Sequence, residues 1–376
     1  MIPYSHQFID EDDLGSVKEV LLSDWLTQGP KVKEFELALA KYCGAKYAVA
    51  VSNGTAALQA AYFAIDIKKG DEIITSALTF AATTNAAIWR GAKPIFVDID
   101  ETGNIDPDLI EEKITSKTKA IVAIDYAGLP CDFDKLKKIT KKHSLILIED
   151  AAHSLGAEYK GKKVGCIADL TTFSFHPVKS ITTGEGGAVM TNNKELYEKL
   201  LLFRSHGITK DQSKFVNKND GPWYYEMQEL GLNYRLTDIQ AALGISQLTK
   251  LDNFINKRVA IAARYDKELR GIKGLILPRV SFKDRKSSWH LYPIRVMSEK
   301  RLFVFEQLQK NEIGVQVHYI PVYWHPYYQK LRFKKGLCPN AEKWYESEIS
   351  IPIYPSLKKN DQNKVINVLK EILKNQ

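Results

Sequence analysis

Leu145-Ile-Leu-Ile-Glu-Asp-Ala-Ala-His153 opens with four consecutive apolar residues and closes on two carboxylates, two alanines and a histidine. A run this short, bounded by polar residues, reads as a strand buried on both faces, the kind found in parallel sheets covered by helices. Carboxylates at the carboxyl end of such a strand fall where open α/β sheets bind their ligands. Similar runs flank it at Ala48–Ser52, Glu72–Thr75, Lys93–Val97, Ala120–Ile124 and Thr171–Phe175, with helical patterns between them. The alternation predicts an α/β fold built on a large, mostly parallel sheet.

The 376 residues exceed the usual reach of one hydrophobic core, so a large domain over 1–245, N-terminal segment included, and a smaller C-terminal α/β domain over 246–376 are expected. An amphipathic segment (Asp12 to Leu22) and a helix (Lys31 to Tyr42) precede the first strand. Helices are predicted at Thr237–Leu251, Asn256–Leu269, Arg301–Asn311 and Asp361–Lys374, and a strand at Trp289–Val296. Residues 207–231 carry little periodicity and read as a long functional loop. The formal charge of +8 is dispersed among acidic residues, which argues against nucleic acid as a partner. Cys43, Cys131, Cys166 and Cys338 form no close ligand or redox pair, so no metal is expected. With no apolar stretch long enough for a bilayer and no leader pattern, the expected compartment is the cytoplasm.

Three stretches could carry chemistry. In Ser52-Asn-Gly-Thr-Ala-Ala57 a strand turns through glycine into a helix, whose free N–H groups and dipole could hold a phosphate without a lysine; taken alone, a glycine turn with a threonine cap is the plainer reading. Asp150 could pair with a protonated pyridine nitrogen and His153 with a phenolic oxygen, while Ala151 and Ala152 leave room for a flat ring; a helix cap is the plainer alternative. The third stretch is Thr171-Thr-Phe-Ser-Phe-His-Pro-Val-Lys-Ser180, in which strand alternation puts Thr172, Ser174 and His176 on one face and Phe173 and Phe175 on the other. Lys179 then lies in the loop beyond. To act as a nucleophile it must lose its proton, which requires a desolvated or electropositive setting. Gly184, Gly186 and Gly187 allow close backbone approach, or simply a hairpin.

Asn53-Gly-Thr-Ala56, Thr79-Phe80, Glu149-Asp-Ala-Ala-His153, Ser174-Phe-His-Pro-Val-Lys179, Gly184-Glu-Gly-Gly187 and Gly231-Leu-Asn-Tyr-Arg-Leu236 together resemble the DegT/DnrJ/EryC1/StrS family of sugar aminotransferases, within fold type I pyridoxal 5'-phosphate (PLP) enzymes. The resemblance spans nearly the whole chain. It implies Lys179 as the Schiff-base lysine and proton shuttle and Asp150 on the ring nitrogen. It also implies His153 on the phenolic oxygen, Phe80 and Ala152 on the two ring faces, and Thr55, Ala56 and Ser174 on the phosphate. Asn233 is implied to reach the cofactor phosphate of a second subunit, so a homodimer with shared sites is expected.

The substrate-side candidates are Tyr4, Thr27, Arg235, His318 and Tyr319; a plain interfacial salt bridge is as good an account of Arg235. Gly103-Asn-Ile-Asp106, Asp125-Tyr-Ala-Gly128, Phe203-Arg-Ser-His-Gly207 and Val315-Gln-Val-His-Tyr319 resemble the branch that moves the amino group of L-glutamate to C4 of a UDP-linked 4-keto-6-deoxy-N-acetylhexosamine. Many other relatives carry His-Leu-Tyr-Gly where Asp125–Gly128 stands. Amination of another UDP- or dTDP-linked ketosugar and a non-catalytic PLP-binding regulator are the alternatives. A dehydratase is disfavoured because related dehydratases replace the lysine with histidine.

Overall fold

Seven strands form the central sheet of the computed structural model, which describes residues 1–218, 220–279 and 281–374. In chain order they are β1 (Tyr47–Val51), β2 (Glu72–Ser76), β3 (Lys93–Val97), β4 (Thr118–Ile124), β5 (Ile146–Asp150), β6 (Leu170–Ser174) and β7 (Gly187–Thr191). Across the sheet the order is β1-β7-β6-β5-β4-β2-β3. Only β7 runs against its neighbours, pairing antiparallel with both β1 and β6. The sequence did not flag β7, because its Gly-Gly start resembles a hairpin turn.

The helices are α1 (Glu11–Leu21), α2 (Pro30–Cys43), α3 (Gly54–Ala64), α4 (Ala82–Trp89), α5 (Phe133–His143), α6 (Lys194–Arg204), α7 (Asp238–Leu269), α8 (Ser298–Lys310), α9 (Pro326–Lys330), α10 (Pro339–Ser347) and α11 (Lys359–Lys374). Strand alternation decides which layer each residue joins. Val49 and Val51 of β1 pack with α3 and α6, whereas Ala48 and Ala50 face α2 and α7. Local chemistry sets the helix starts: Asp10 and Asp13 make a reciprocal capping box on α1, and Thr237 and Gln240 make another on α7.

Two helices were expected between Thr237 and Leu269, but α7 is one uninterrupted helix of 32 residues. The polar stretch Lys250-Leu-Asp-Asn253 lowered the apolar periodicity there, yet Lys250 stays within the helix by pairing with Asp10 and Asp13 of the α1 start. The division expected after residue 245 therefore falls inside α7. Its first half packs on α1 and α2. Its second half carries Ile261, Ala262 and Tyr265 into a second core with α8, α11 and a small antiparallel sheet of β8 (Leu275–Ile276), β9 (Tyr292–Val296) and β10 (Glu348–Ile351). The N-terminal segment also belongs to this second core, since Ile2 bridges Ile313 and is buried there. Arg258 of α7 is fully buried, and its guanidinium donates to the carbonyls of Trp289, His290 and Ile353. Burial without a carboxylate partner pulls its pKa down to about 10.

The stretch 207–231 contains a short ribbon, Ile208–Thr209 against Glu226–Met227, and one 3-10 turn at Gln212–Lys214 capped by Asp211; Asn219 lies outside the described residues.

Candidate active site

At the carboxyl ends of β5 and β6 lies a cavity of about 660 Å³. Asp150, Ala152 and His153 enter it from the end of β5, and Ser174, His176 and Lys179 from the end of β6 and the loop beyond. Thr172, Ser174 and His176 do share one face of that strand, while Phe173 and Phe175 are buried on the other with α2 and α7.

Lys179 keeps partial exposure to the cavity it lines, yet the surrounding protein desolvates its ammonium enough to bring the pKa down to about 8, against a smaller opposing pull from Asp150. No hydrogen bond holds its amine among the described residues. Asp150 sits buried in the same cavity; burial raises its pKa, and hydrogen bonds from the Thr83 hydroxyl to Oδ2 (2.7 Å) and from the Ala152 amide to Oδ1 (3.3 Å) work against that rise. Thr83 is itself tied to Thr79 (2.9 Å), and its carbonyl accepts from the Tyr62 hydroxyl (2.8 Å). Neither threonine was singled out from the sequence as a site residue. Their signal is the four-residue spacing that brings both to the Asp150 side at the start of α4.

His153 shares a hydrogen bond with the Tyr319 hydroxyl through Nε2 (3.0 Å), and its Nδ1 is buried without a partner. His290, missed in the sequence, lies against it at 4.3 Å between ring centroids. Burial holds both imidazoles neutral, with pKa values well below the ordinary range. Tyr319 also approaches Phe80 at 6.1 Å, and Tyr4 approaches His318 at 5.8 Å. Phe80, Tyr4, His318 and Tyr319 all line the cavity. Their aromatic neighbours Tyr323 and Tyr328 turn instead into a core with Phe96.

At the other end, Asn53 caps α3 and accepts from the Ala56 amide (2.8 Å). Ala56, expected at the phosphate, also lines the cavity, with its amide directed to the Asn53 cap. The Gly54 and Thr55 amides have no acceptor among the described residues, and the Ser174 hydroxyl faces the same corner. Gly54 permits this approach, because a Cβ there would meet Ser174 Cβ at 2.9 Å. Gly187 serves the same corner from behind: a Cβ would lie 2.5 Å from the Asn53 carbonyl oxygen, so its close approach is to the turn. Gln59 and Tyr234, hydrogen-bonded to each other, complete this wall and were not anticipated.

Three sequence candidates lie outside the cavity. Thr27 and Asn233 are exposed and Arg235 partly so; their backbones bridge to Thr237, Ser205 and Val51. On the reverse face of β5, Glu149 points away from Asp150 towards Asp125. Burial raises both pKa values, Asp125 to about 6, and the charge of Asp125 pushes Glu149 up further, so this carboxyl pair retains a proton that the two share in a hydrogen bond.

A site of this kind can grip an aromatic aldehyde by its carbonyl, its ring nitrogen and an anionic tail together, which is the work of a PLP-dependent transferase. The DegT/DnrJ/EryC1/StrS aminotransferase family model matches residues 7–370, and the chain belongs to that family of PLP-dependent aminotransferases. It is 45% identical over 380 residues to the UDP-4-amino-4,6-dideoxy-N-acetyl-beta-L-altrosamine transaminase of Campylobacter jejuni, covering 99% of this chain and 98% of that one. It is 42% identical over 380 residues to the spore coat polysaccharide biosynthesis protein SpsC of Bacillus subtilis, covering 99% and 97%. Among solved structures, Helicobacter pylori PseC, an aminotransferase involved in the biosynthesis of pseudoaminic acid, superposes with a TM-score of 0.93 at 38% identity over 100% of both chains.

The cavity fits the cofactor. A buried carboxylate lacking a cation, a deprotonatable amine, a buried imidazole nitrogen without a partner and two free helix-start amides are the complements of its ring nitrogen, aldehyde, phenolic oxygen and phosphate. No helix among the described residues is long and apolar enough to cross a membrane.

Proposed function

We propose that this aminotransferase moves the amino group of L-glutamate to C4 of UDP-2-acetamido-2,6-dideoxy-β-L-arabino-hex-4-ulose, releasing 2-oxoglutarate and the 4-amino sugar nucleotide. The names of the Campylobacter and Helicobacter relatives support the sugar. The observation that carries the mechanism is the desolvated amine of Lys179 in one cavity with buried Asp150.

When bound, PLP supplies the electron sink that stores the amino group between the two half-reactions. Asp150, ionised and oriented by Thr83, holds the proton on the ring nitrogen. Lys179 takes the proton from Cα of glutamate in the first half-reaction and delivers one to sugar C4 in the second; the depressed pKa lets it act as base and acid near neutral pH. Phe80 and Ala152 flank the ring and limit water, His153 and Tyr319 fix the phenolic side, and Thr55, Ser174 and the α3 start carry the phosphate. Tyr4, His318 and Tyr319 face the sugar.

Asn233, Arg235 and Thr27 act in this reading from a second copy of the chain. The exposed apolar side chains Leu22, Trp25, Leu26, Trp223 and Leu230 supply a surface for that homodimer. The comparable likeness to SpsC favours a second reading, amination of another UDP- or dTDP-linked ketosugar. Incubating the protein with PLP, glutamate and a panel of 3-keto and 4-keto nucleotide sugars, with products identified by NMR, separates the two. Turnover confined to other ketosugars would replace the substrate assignment.

A further inference from the structure

Beyond the catalytic cavity, a second cavity of about 470 Å³ opens between the small sheet and residues 277–279 and 281–287. Its walls are aromatic and its rim is cationic. Trp289 and Trp344 are buried beneath it, and Phe282 stands at its edge with the guanidiniums of Arg279 and Arg285 over its ring at 4.6 and 4.7 Å.

Not all of this charge is spoken for. Arg279 pairs with Glu101 (3.2 Å), and Lys286 with Glu158 (2.7 Å). Arg285 gives one hydrogen bond to the Pro130 carbonyl, and its buried Nε makes no hydrogen bond but forms a 3.5 Å ion pair with Asp284. Arg295, half-buried in β9, has no side-chain hydrogen bond or ion pair among the described residues and only stacks on Trp344 (4.4 Å). Glu348 lies opposite it on β10 but spends its oxygens on the Ser350 hydroxyl and the His318 amide.

A half-buried guanidinium without an anion, such as that of Arg295, is costly, and flat apolar walls beside it suit a ring. Four cations, Arg279, Arg285, Lys286 and Arg295, line the cavity against three paired carboxylates, and a guanidinium fork takes a phosphate through parallel charge-assisted hydrogen bonds. We propose that this cavity is a binding site for a nucleoside phosphate, separate from the catalytic cleft, with the base against Trp289 and Trp344 and the phosphate between Arg295 and Arg285. One of its walls reaches the catalytic site: Trp344 Nε1 donates to the Tyr126 hydroxyl, which donates to the His318 carbonyl.

The test is titration of the PLP-loaded protein with UMP, AMP, uridine and inorganic phosphate, followed by calorimetry and by tryptophan fluorescence. UMP and AMP are expected to bind and quench, with uridine and phosphate each at least tenfold weaker. Arg295→Gln is expected to weaken nucleotide binding at least tenfold while melting temperature and amino transfer stay unchanged, and Arg285→Gln to do the same independently. Nucleotide binding unaffected by either substitution, phosphate binding as tightly as UMP, or no binding at millimolar nucleotide would each overturn the assignment.

Discussion

The acidity of Lys179 sets how quickly the protein can capture its cofactor, and its value can be tested by changing one neighbouring charge. Burial brings its ammonium from an ordinary 10.5 to about 8. At pH 7 about one molecule in ten then presents a neutral amine, against roughly three in ten thousand for a solvated lysine. Capture of PLP by the cofactor-free protein should follow that fraction, rising with pH and levelling off above a midpoint near 8. Asp150 is the one charge opposing the burial effect, so Asp150→Asn should move the midpoint lower still. The same substitution should weaken cofactor retention by about 1.5–3 kcal/mol, the worth of a hydrogen bond to a charged group. Stopped-flow absorbance between pH 6 and 10, with borohydride fixation and mass spectrometry to confirm the site, reads both effects. A midpoint near 10, or one that rises in Asp150→Asn, would refute the claim that desolvation activates this lysine.

Lys179→Ala should abolish amino transfer and borohydride fixation together while leaving the melting temperature within a few degrees; residual turnover would assign the proton transfers to another group. Thr83→Val removes the hydroxyl that donates to Asp150 and should cost about 1 kcal/mol of cofactor affinity, seen as faster loss of PLP on dialysis; unaltered retention would make Thr83 a packing residue. Arg258→Met leaves three buried carbonyls without their donor and should lower unfolding free energy by about 3 kcal/mol, measured as a shift in urea midpoint. If the proposed homodimer shares its sites, Asn233→Ala should weaken PLP retention without changing the mass of the assembly in solution, and a fully active monomer would contradict shared sites.

Much of this arrangement was legible because the sheet is written in short apolar runs and its ligand edge in the residues that end them. Five of the six strands predicted for the central sheet lie within two residues of the observed spans at both ends, and the sixth, Lys93–Val97, coincides with its span; Trp289–Val296 of the small sheet starts three residues ahead of its strand. The pattern faded where tertiary partners override local signals. The strand Gly187–Thr191 begins on glycines that only its contact with the Asn53 turn explains, and α7 continues through a polar stretch because Lys250 is neutralised from α1. Thr83, Gln59, Tyr234 and His290 escaped notice for a related reason. Each matters through what it touches in space, Asp150 or His153 among them, and only Tyr234 sits in a motif marked from the sequence, Gly231–Leu236, where no role fell to it.

The unbroken run of α7 also has a mechanical meaning. At 1.5 Å per residue it extends about 48 Å, from the rim residues just beyond Arg235 to the interior of the second core, where Arg258 clamps three carbonyls of the smaller layer. A rod without a break offers no joint for the two layers to swing about. Admission and sealing of a sugar nucleotide therefore fall to what hangs on the frame rather than to the frame itself: the exposed ring of Phe80, the 207–231 excursion and the surfaces proposed to meet a second copy.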